Sequence, residues 1–207
     1  MSKPYSAFAA IEFGSVPAGV YAADAAIKKS PISFVRSGTI GAGRQLLVFA
    51  GTTASVEEAF EEALYHGGSQ VVDSVLLPDV HEALYAAIVD GKVKKPGPEE
   101  PVLVVETPSV SSEVLAVERA LKGVPVELLE FRAGDPRMDG KGLAILQGDL
   151  YDVEAAQEIM VETLEGKGVS AQYRLLTAPH EALLAQLGLS TRFDRCAGVK
   201  LEGEQAT

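Results

Sequence analysis

An α+β fold made of two consecutive units is predicted for this 207-residue chain, each unit running β-α-β-β-α-β-α with a four-stranded antiparallel sheet beneath its helices. Three observations predict it. The first is that the chain repeats itself. Ser15-Val16, Val20, Ala22, Ala26, Lys28 and Pro31 recur 94 residues later as Ser109-Val110, Val114, Ala116, Ala120, Lys122 and Pro125. Gly43, Leu46, Gly51, Val56-Glu57 and Ala59 recur at an offset of 97, and His81-Glu82-Ala83-Leu84 recurs at 99 as His180-Glu181-Ala182-Leu183. The second is the alternation of apolar strand runs with helical stripes inside each copy. The third is composition: 47% hydrophobic and 23% charged residues suit a packed globular protein, and 207 residues suit two units of about 100.

The elements follow in order. Residues 7–13 read as a strand, with the apolar run Val102-Leu103-Val104-Val105 as its second-copy counterpart. Ser15 is placed to cap, and Pro17 to start, an alanine-rich helix that ends near Lys29, before Pro31. Ile32-Ser33-Phe34-Val35 reads as a strand, Gly38 to Gly43 as a turn, and residues 45–50 as the returning strand of a long-tipped hairpin. Ser55 is the expected cap of the next helix, where Val56, Ala59, Phe60, Ala63 and Leu64 form an apolar stripe; Val153, Ala156, Met160, Val161 and Leu164 repeat it. A strand over 71–77 and a short helix over 81–88 close the unit. The expected organisation is a first domain over 1–89, a Pro- and Gly-rich solvated linker over 90–101, a second domain over 102–188 and a tail over 189–207.

Several function classes recede at this stage. A net charge of −11 repels phosphate backbones and anionic lipid, so neither nucleic acid nor membrane is an expected partner. No apolar run of about 18 residues is present, and one cysteine, Cys196, cannot form an intrachain disulfide, so a cytoplasmic location is expected. None of the phosphate-cradling, nucleophile-elbow, dinucleotide or zinc-protease motifs occurs. The numerous carboxylates read as solvated helix faces, with no catalytic constellation, metal site or cofactor expected.

The ordered set Ala10-Ile11-Glu12-Phe13, Gly19-Val20-Tyr21-Ala22-Ala23-Asp24-Ala25-Ala26-Ile27-Lys28, Gly41-Ala42-Gly43 and Leu77-Pro78-Asp79-Val80-His81-Glu82 resembles the bacterial microcompartment shell domain. Val105-Glu106-Thr107, Glu118-Arg119-Ala120-Leu121-Lys122 and Pro179-His180-Glu181 repeat the pattern more weakly, so the chain resembles the tandem-domain, trimer-forming kind without permutation. The resemblance implies a structural, non-enzymatic subunit of a microcompartment shell. Three chains would form a pseudohexagonal disc with a central pore passing small metabolites, and other shell proteins would be its neighbours.

The pore-lining residues so implied are Thr39, Ile40, Gly41, Ala42 and Gly43, with Asp135, Pro136, Arg137, Met138, Asp139 and Gly140 in the second copy. The glycines also read simply as a tight turn with positive φ, and the longer second tip reads equally as a gate or a surface loop. Lys28, Lys122, Asp79, His81 and His180 correspond to the edge where discs meet. The lysines read alternatively as i,i+4 partners of Asp24 and Glu118, and the histidines as helix caps. Asp79 and Ala178 replace the family's edge arginine, and the absence of cysteine from both tips argues against an axial iron–sulfur cluster. The alternative reading is a trimeric small-molecule-binding regulatory module of duplicated ferredoxin-like domains.

Overall fold

The computed structural model describes residues 5–195. The first unit comprises β1 (Ala7–Phe13), α1 (Val16–Lys29), β2 (Phe34–Thr39), β3 (Gln45–Gly51), α2 (Thr53–Gly67), β4 (Val71–Leu77) and α3 (Glu82–Val89). The second comprises β5 (Val102–Thr107), α4 (Val110–Gly123), β6 (Glu127–Arg132), β7 (Gly142–Gln147), α5 (Leu150–Gly166), β8 (Gln172–Leu176) and α6 (Glu181–Leu187). Both sheets are antiparallel, ordered β2-β3-β1-β4 and β6-β7-β5-β8, so the predicted α+β class and element order are those observed.

Both faces of the first sheet are covered, which explains why β1 is buried along its whole length. Ala7, Ala9, Ile11 and Phe13 point at the alanine-rich faces of α1 and α2. Phe8 and Ala10 point the other way, into a core that also contains Leu84, Tyr85 and Ile88 of α3 and Val110, Val114 and Val117 of α4. The second unit therefore completes the core of the first. Helix α4 lies on the sheet of the first unit, and α3 packs beside β6 of the second.

Local details depart from the sequence reading. Ser15 stands at the N-cap of α1 without a side-chain cap bond. Its counterpart Ser109 does cap, accepting from the Ser112 N–H at 3.3 Å. The cap of α2 is Thr52, with Ser55 its N–H donor at 3.3 Å, and β2 begins at Phe34, two residues later than expected. The stretch 90–101 does lack helix and strand, yet it is strapped down: the Lys94 N–H donates to the carbonyl of Leu129, at the bulge of β6, at 2.8 Å. Gln147 Oε1 accepts from the Gly97 N–H at 2.6 Å. The described part of the tail, 189–195, is docked too, since the Ser190 hydroxyl and the Thr191 N–H both donate to Glu130. Cys196 and residues 202–207 lie outside the described residues.

Candidate pore rim and intrachain seam

The two hairpin tips sit side by side. In the first, Gly41, Ala42 and Gly43 take φ of 94°, 50° and 72°, closed by the Arg44 N–H donating to the Gly41 carbonyl at 2.9 Å. In the second, Asp139 and Gly140 are left-handed at 50° and 80°. The Gly140 N–H donates to the Ile40 carbonyl at 3.0 Å, joining the tips directly. Two glycines are required for this approach. A Cβ at Gly134 would stand 2.8 Å from Ile40 Cγ2, and one at Gly140 would stand 2.9 Å from Arg44 Cδ.

The candidate tip residues differ in exposure. Thr39 is exposed at the end of β2 and Ile40 is buried beneath the turn. Residues 136–138 form a single 3₁₀ turn, and Arg137 lies outside, paired with Asp194 at 2.9 Å. Met138 is half-buried, its N–H donating to the Asp135 carbonyl at 3.0 Å, and Asp139 is exposed. Asp135 is turned inward and buried, ion-paired with Arg132 and with Arg192 at 3.2 Å. Burial opposes its charge, but the Arg137 N–H and the two guanidinium groups outweigh that cost and hold its pKa at about 2. The second tip is thus anchored to the segment 190–195.

The edge candidates separate into two groups. Lys122 pairs with buried Glu118 at 2.7 Å and donates to the Asp79 carbonyl. Glu118 in turn accepts from the His81 N–H at 2.9 Å, so Lys122, Asp79 and His81 converge where α4 meets α3. Lys28 pairs with exposed Asp24, at 2.5 Å, and His180 stands at the start of α6. Both histidines cap helices through Nδ1, accepting from the Ala83 and Ala182 N–H groups at 3.2 and 3.1 Å.

The carboxylates correct the sequence reading most sharply, because five of them are buried rather than solvated: Glu12, Glu113, Glu118, Glu130 and Asp135. Glu12 accepts from the Ser111 N–H at 2.7 Å and faces Arg44 at 3.5 Å. Burial raises its pKa to about 7 with help from Asp73, against the lowering effect of Ser111 and Arg44. Asp73 accepts from the Ser109 hydroxyl, the Ser112 hydroxyl at 2.6 Å and the Lys167 ammonium at 2.7 Å. Despite its burial, these donors, Lys167 foremost, hold it below the usual carboxylate range. Glu12 and Asp73 thus lock the N-terminus of α4 onto the first sheet, where an N-terminus favours anions. The signal available in the sequence was the substitution of Pro17-Ala18 by Ser111-Ser112 between the copies.

The chain is thus two antiparallel β-α-β-β-α-β-α units, related by sequence and joined tip to tip. Residues 7–80 match the BMC domain family, and over most of its length the chain is similar to a bacterial microcompartment shell protein. It is 29% identical over 177 residues to the bacterial microcompartment shell protein PduT of Citrobacter freundii, covering 86% of this chain and 95% of that one. Among solved structures it resembles a microcompartment protein from Desulfitobacterium hafniense DCB, with TM-score 0.74 and 24% identity over 86% of this chain and 98% of that one. It also resembles a fused permuted hexameric shell protein from the RMM microcompartment, with TM-score 0.57 and 24% identity over 80% and 87% of the two chains. The structural likenesses establish the fold. Among the described residues, no helix is long and apolar enough to cross a membrane.

Proposed function

We propose that this chain is a structural subunit of a microcompartment shell, assembling as a homotrimer whose six hairpin tips surround a central pore for small metabolites. The observation that carries the reading is the pairing of the two tips through Gly140 and Ile40 at 3.0 Å. Repeated by three-fold symmetry, that arrangement brings Thr39–Gly43 and Asp135–Gly140 from every chain to one ring. Its pore would select by width, by backbone N–H groups of the glycine turns and by charge. The first tip carries no ionisable side chain between Thr39 and Gly43, and the second presents Arg137 and Asp139.

Other shell proteins are the expected lateral neighbours, the reading assigns the chain no catalysis, and it divides the chain at 90–101 into the two repeats. The relationship to a named shell protein over most of both chains favours this reading over a small-molecule regulatory module. Sedimentation equilibrium tests it. Three chains of 21.8 kDa give a particle of about 65 kDa, whereas a 21.8 kDa particle at micromolar concentration refutes the assembly.

A further inference from the structure

The two hairpin tips bring several ionisable side chains together, and the fold pairs or withdraws all of them but one. Arg44 follows the first tip, yet its guanidinium turns into the seam, donating to the Pro108 carbonyl at 2.9 Å and facing Glu12 at 3.5 Å. Asp135 is buried between Arg132 and Arg192. Lys141, at the root of the second tip, is held by Glu106 at 2.8 Å. Between Thr39 and Gly43 there is no ionisable side chain at all.

That leaves Arg137 and Asp139. Arg137 reaches Asp194 with a forked contact, Nη1 to Oδ1 at 2.9 Å and Nη2 to Oδ2 at 3.5 Å. Both side chains are exposed, and such a pair holds weakly by itself. Asp194, however, belongs to a segment already fixed upstream: the Ser190 hydroxyl and the Thr191 N–H donate to buried Glu130 at 2.7 and 2.8 Å, and Arg192 Nε donates to Asp135 at 3.2 Å. Asp139 has no such counterpart. It is exposed, it stands at φ 50° directly before Gly140, and the Gly140 N–H makes the tip-to-tip bond to Ile40 at 3.0 Å. Among the described residues no cation pairs with it; it adds only weakly to the stabilisation of the Lys141 ammonium, which Glu106 dominates.

We infer that Asp139 sets the charge selectivity of the opening: three copies of its carboxylate form a negative rim that favours neutral and cationic metabolites and disfavours anionic ones such as carboxylates and phosphates. Asp194 is a positioning residue for that charge, because by holding Arg137 it keeps the one competing cation off the rim. Three unit charges at about one Debye length, about 10 Å at 0.1 M salt, favour a monovalent cation over a monovalent anion about fivefold. The assignment rests on the trimeric reading with the tips at the opening.

The test reads the potential at the rim. In a chain whose Cys196 is replaced by serine, T39C puts a thiol at an exposed position next to Ile40, at the joint of the tips. Its reaction rates with a cationic trimethylammonioethyl and an anionic sulfonatoethyl methanethiosulfonate are each divided by the rate for a small free thiol. The cation-to-anion ratio is expected to be about fivefold higher than in the same chain carrying D139N. Asparagine tolerates the left-handed conformation, so this variant removes the charge and keeps the turn. D194N, which releases Arg137, is expected to lower the ratio as well, and an unchanged ratio there overturns the role of Asp194. A trimer whose ratio D139N leaves unchanged overturns the assignment of Asp139 while the trimeric reading stands. A folded trimer in which neither reagent reaches position 39 overturns the placement of the tips at the opening, and a monomeric wild type overturns both the trimeric reading and the assignment.

Discussion

Replacing Glu113 by glutamine probes the least solvated acid in the protein. Glu113 is fully buried near the start of α4, and neither carboxyl oxygen has a hydrogen-bond partner. Burial raises its pKa from 4.5 to about 8; Thr107 lowers it only partly, its hydroxyl being committed to the Ser109 carbonyl at 2.7 Å, and Glu106 raises it further. The folded chain therefore keeps a proton that the unfolded chain releases between pH 4.5 and about 8. The stabilisation this proton represents is complete below the unfolded value and disappears as pH rises through the folded one. Between about pH 5 and pH 7.5 the loss is about 3 kcal/mol, from 1.36 kcal/mol per pH unit.

Glutamine has nearly the same shape and cannot ionise, so E113Q lacks this slope. Glu12, whose folded value is also raised, contributes equally to both chains and cancels in the comparison. Urea unfolding at the two pH values and one fixed protein concentration measures the difference. E113Q is expected to gain on the wild type by about 3 kcal/mol as pH rises across this range. Parallel losses in the two chains would refute the assignment of Glu113 as a neutral buried acid.

Three further outcomes follow from the packing. G142A places a Cβ 2.5 Å from that of Glu113, inside a close-packed layer, and is expected to lower the urea unfolding free energy by about 1–3 kcal/mol. S111P imports the residue found at position 17 and removes the N–H donor of Glu12, costing about 1–3 kcal/mol in the same assay; an unchanged midpoint would show that Arg44 alone satisfies the carboxylate. Deleting Asp135, Pro136 and Arg137 removes the anchored insertion of the second tip and is expected to widen the central aperture in a reconstruction of the trimer, an unchanged aperture arguing against its role there.

The architecture was legible because duplication supplies its own control: a strand or stripe that appears in both copies at one offset is an element, whatever its individual propensity. Cap identities were less legible, as at Thr52, because they depend on the residue at which the helix begins, which the apolar stripe leaves open by a few positions. The buried acids were illegible for a different reason. Glu12 is the penultimate residue of an apolar strand and Glu113 lies four residues after a cap, and nothing local separates either from a solvated carboxylate; burial comes from the other unit or from the sheet beneath.

One compensating pair shows what a comparison of the copies can reveal. Gly19 on α1 makes room for Gln45 on β3, with 2.6 Å between a built Cβ and Gln45 Cγ, and in the second unit the polar side chain comes from the helix as Glu113 and the glycine from the strand as Gly142. The same space is filled from opposite sides. Neither exchange is interpretable until the offsets of 94 and 97 place the two positions opposite each other.

The account depends most on where the hairpin tips lie once chains assemble, and electron microscopy of the purified particle measures that directly. A three-fold disc with Gly41 and Gly140 lining a central hole is predicted. A disc that carries these turns on its outer rim, or a particle without a three-fold axis, would contradict it.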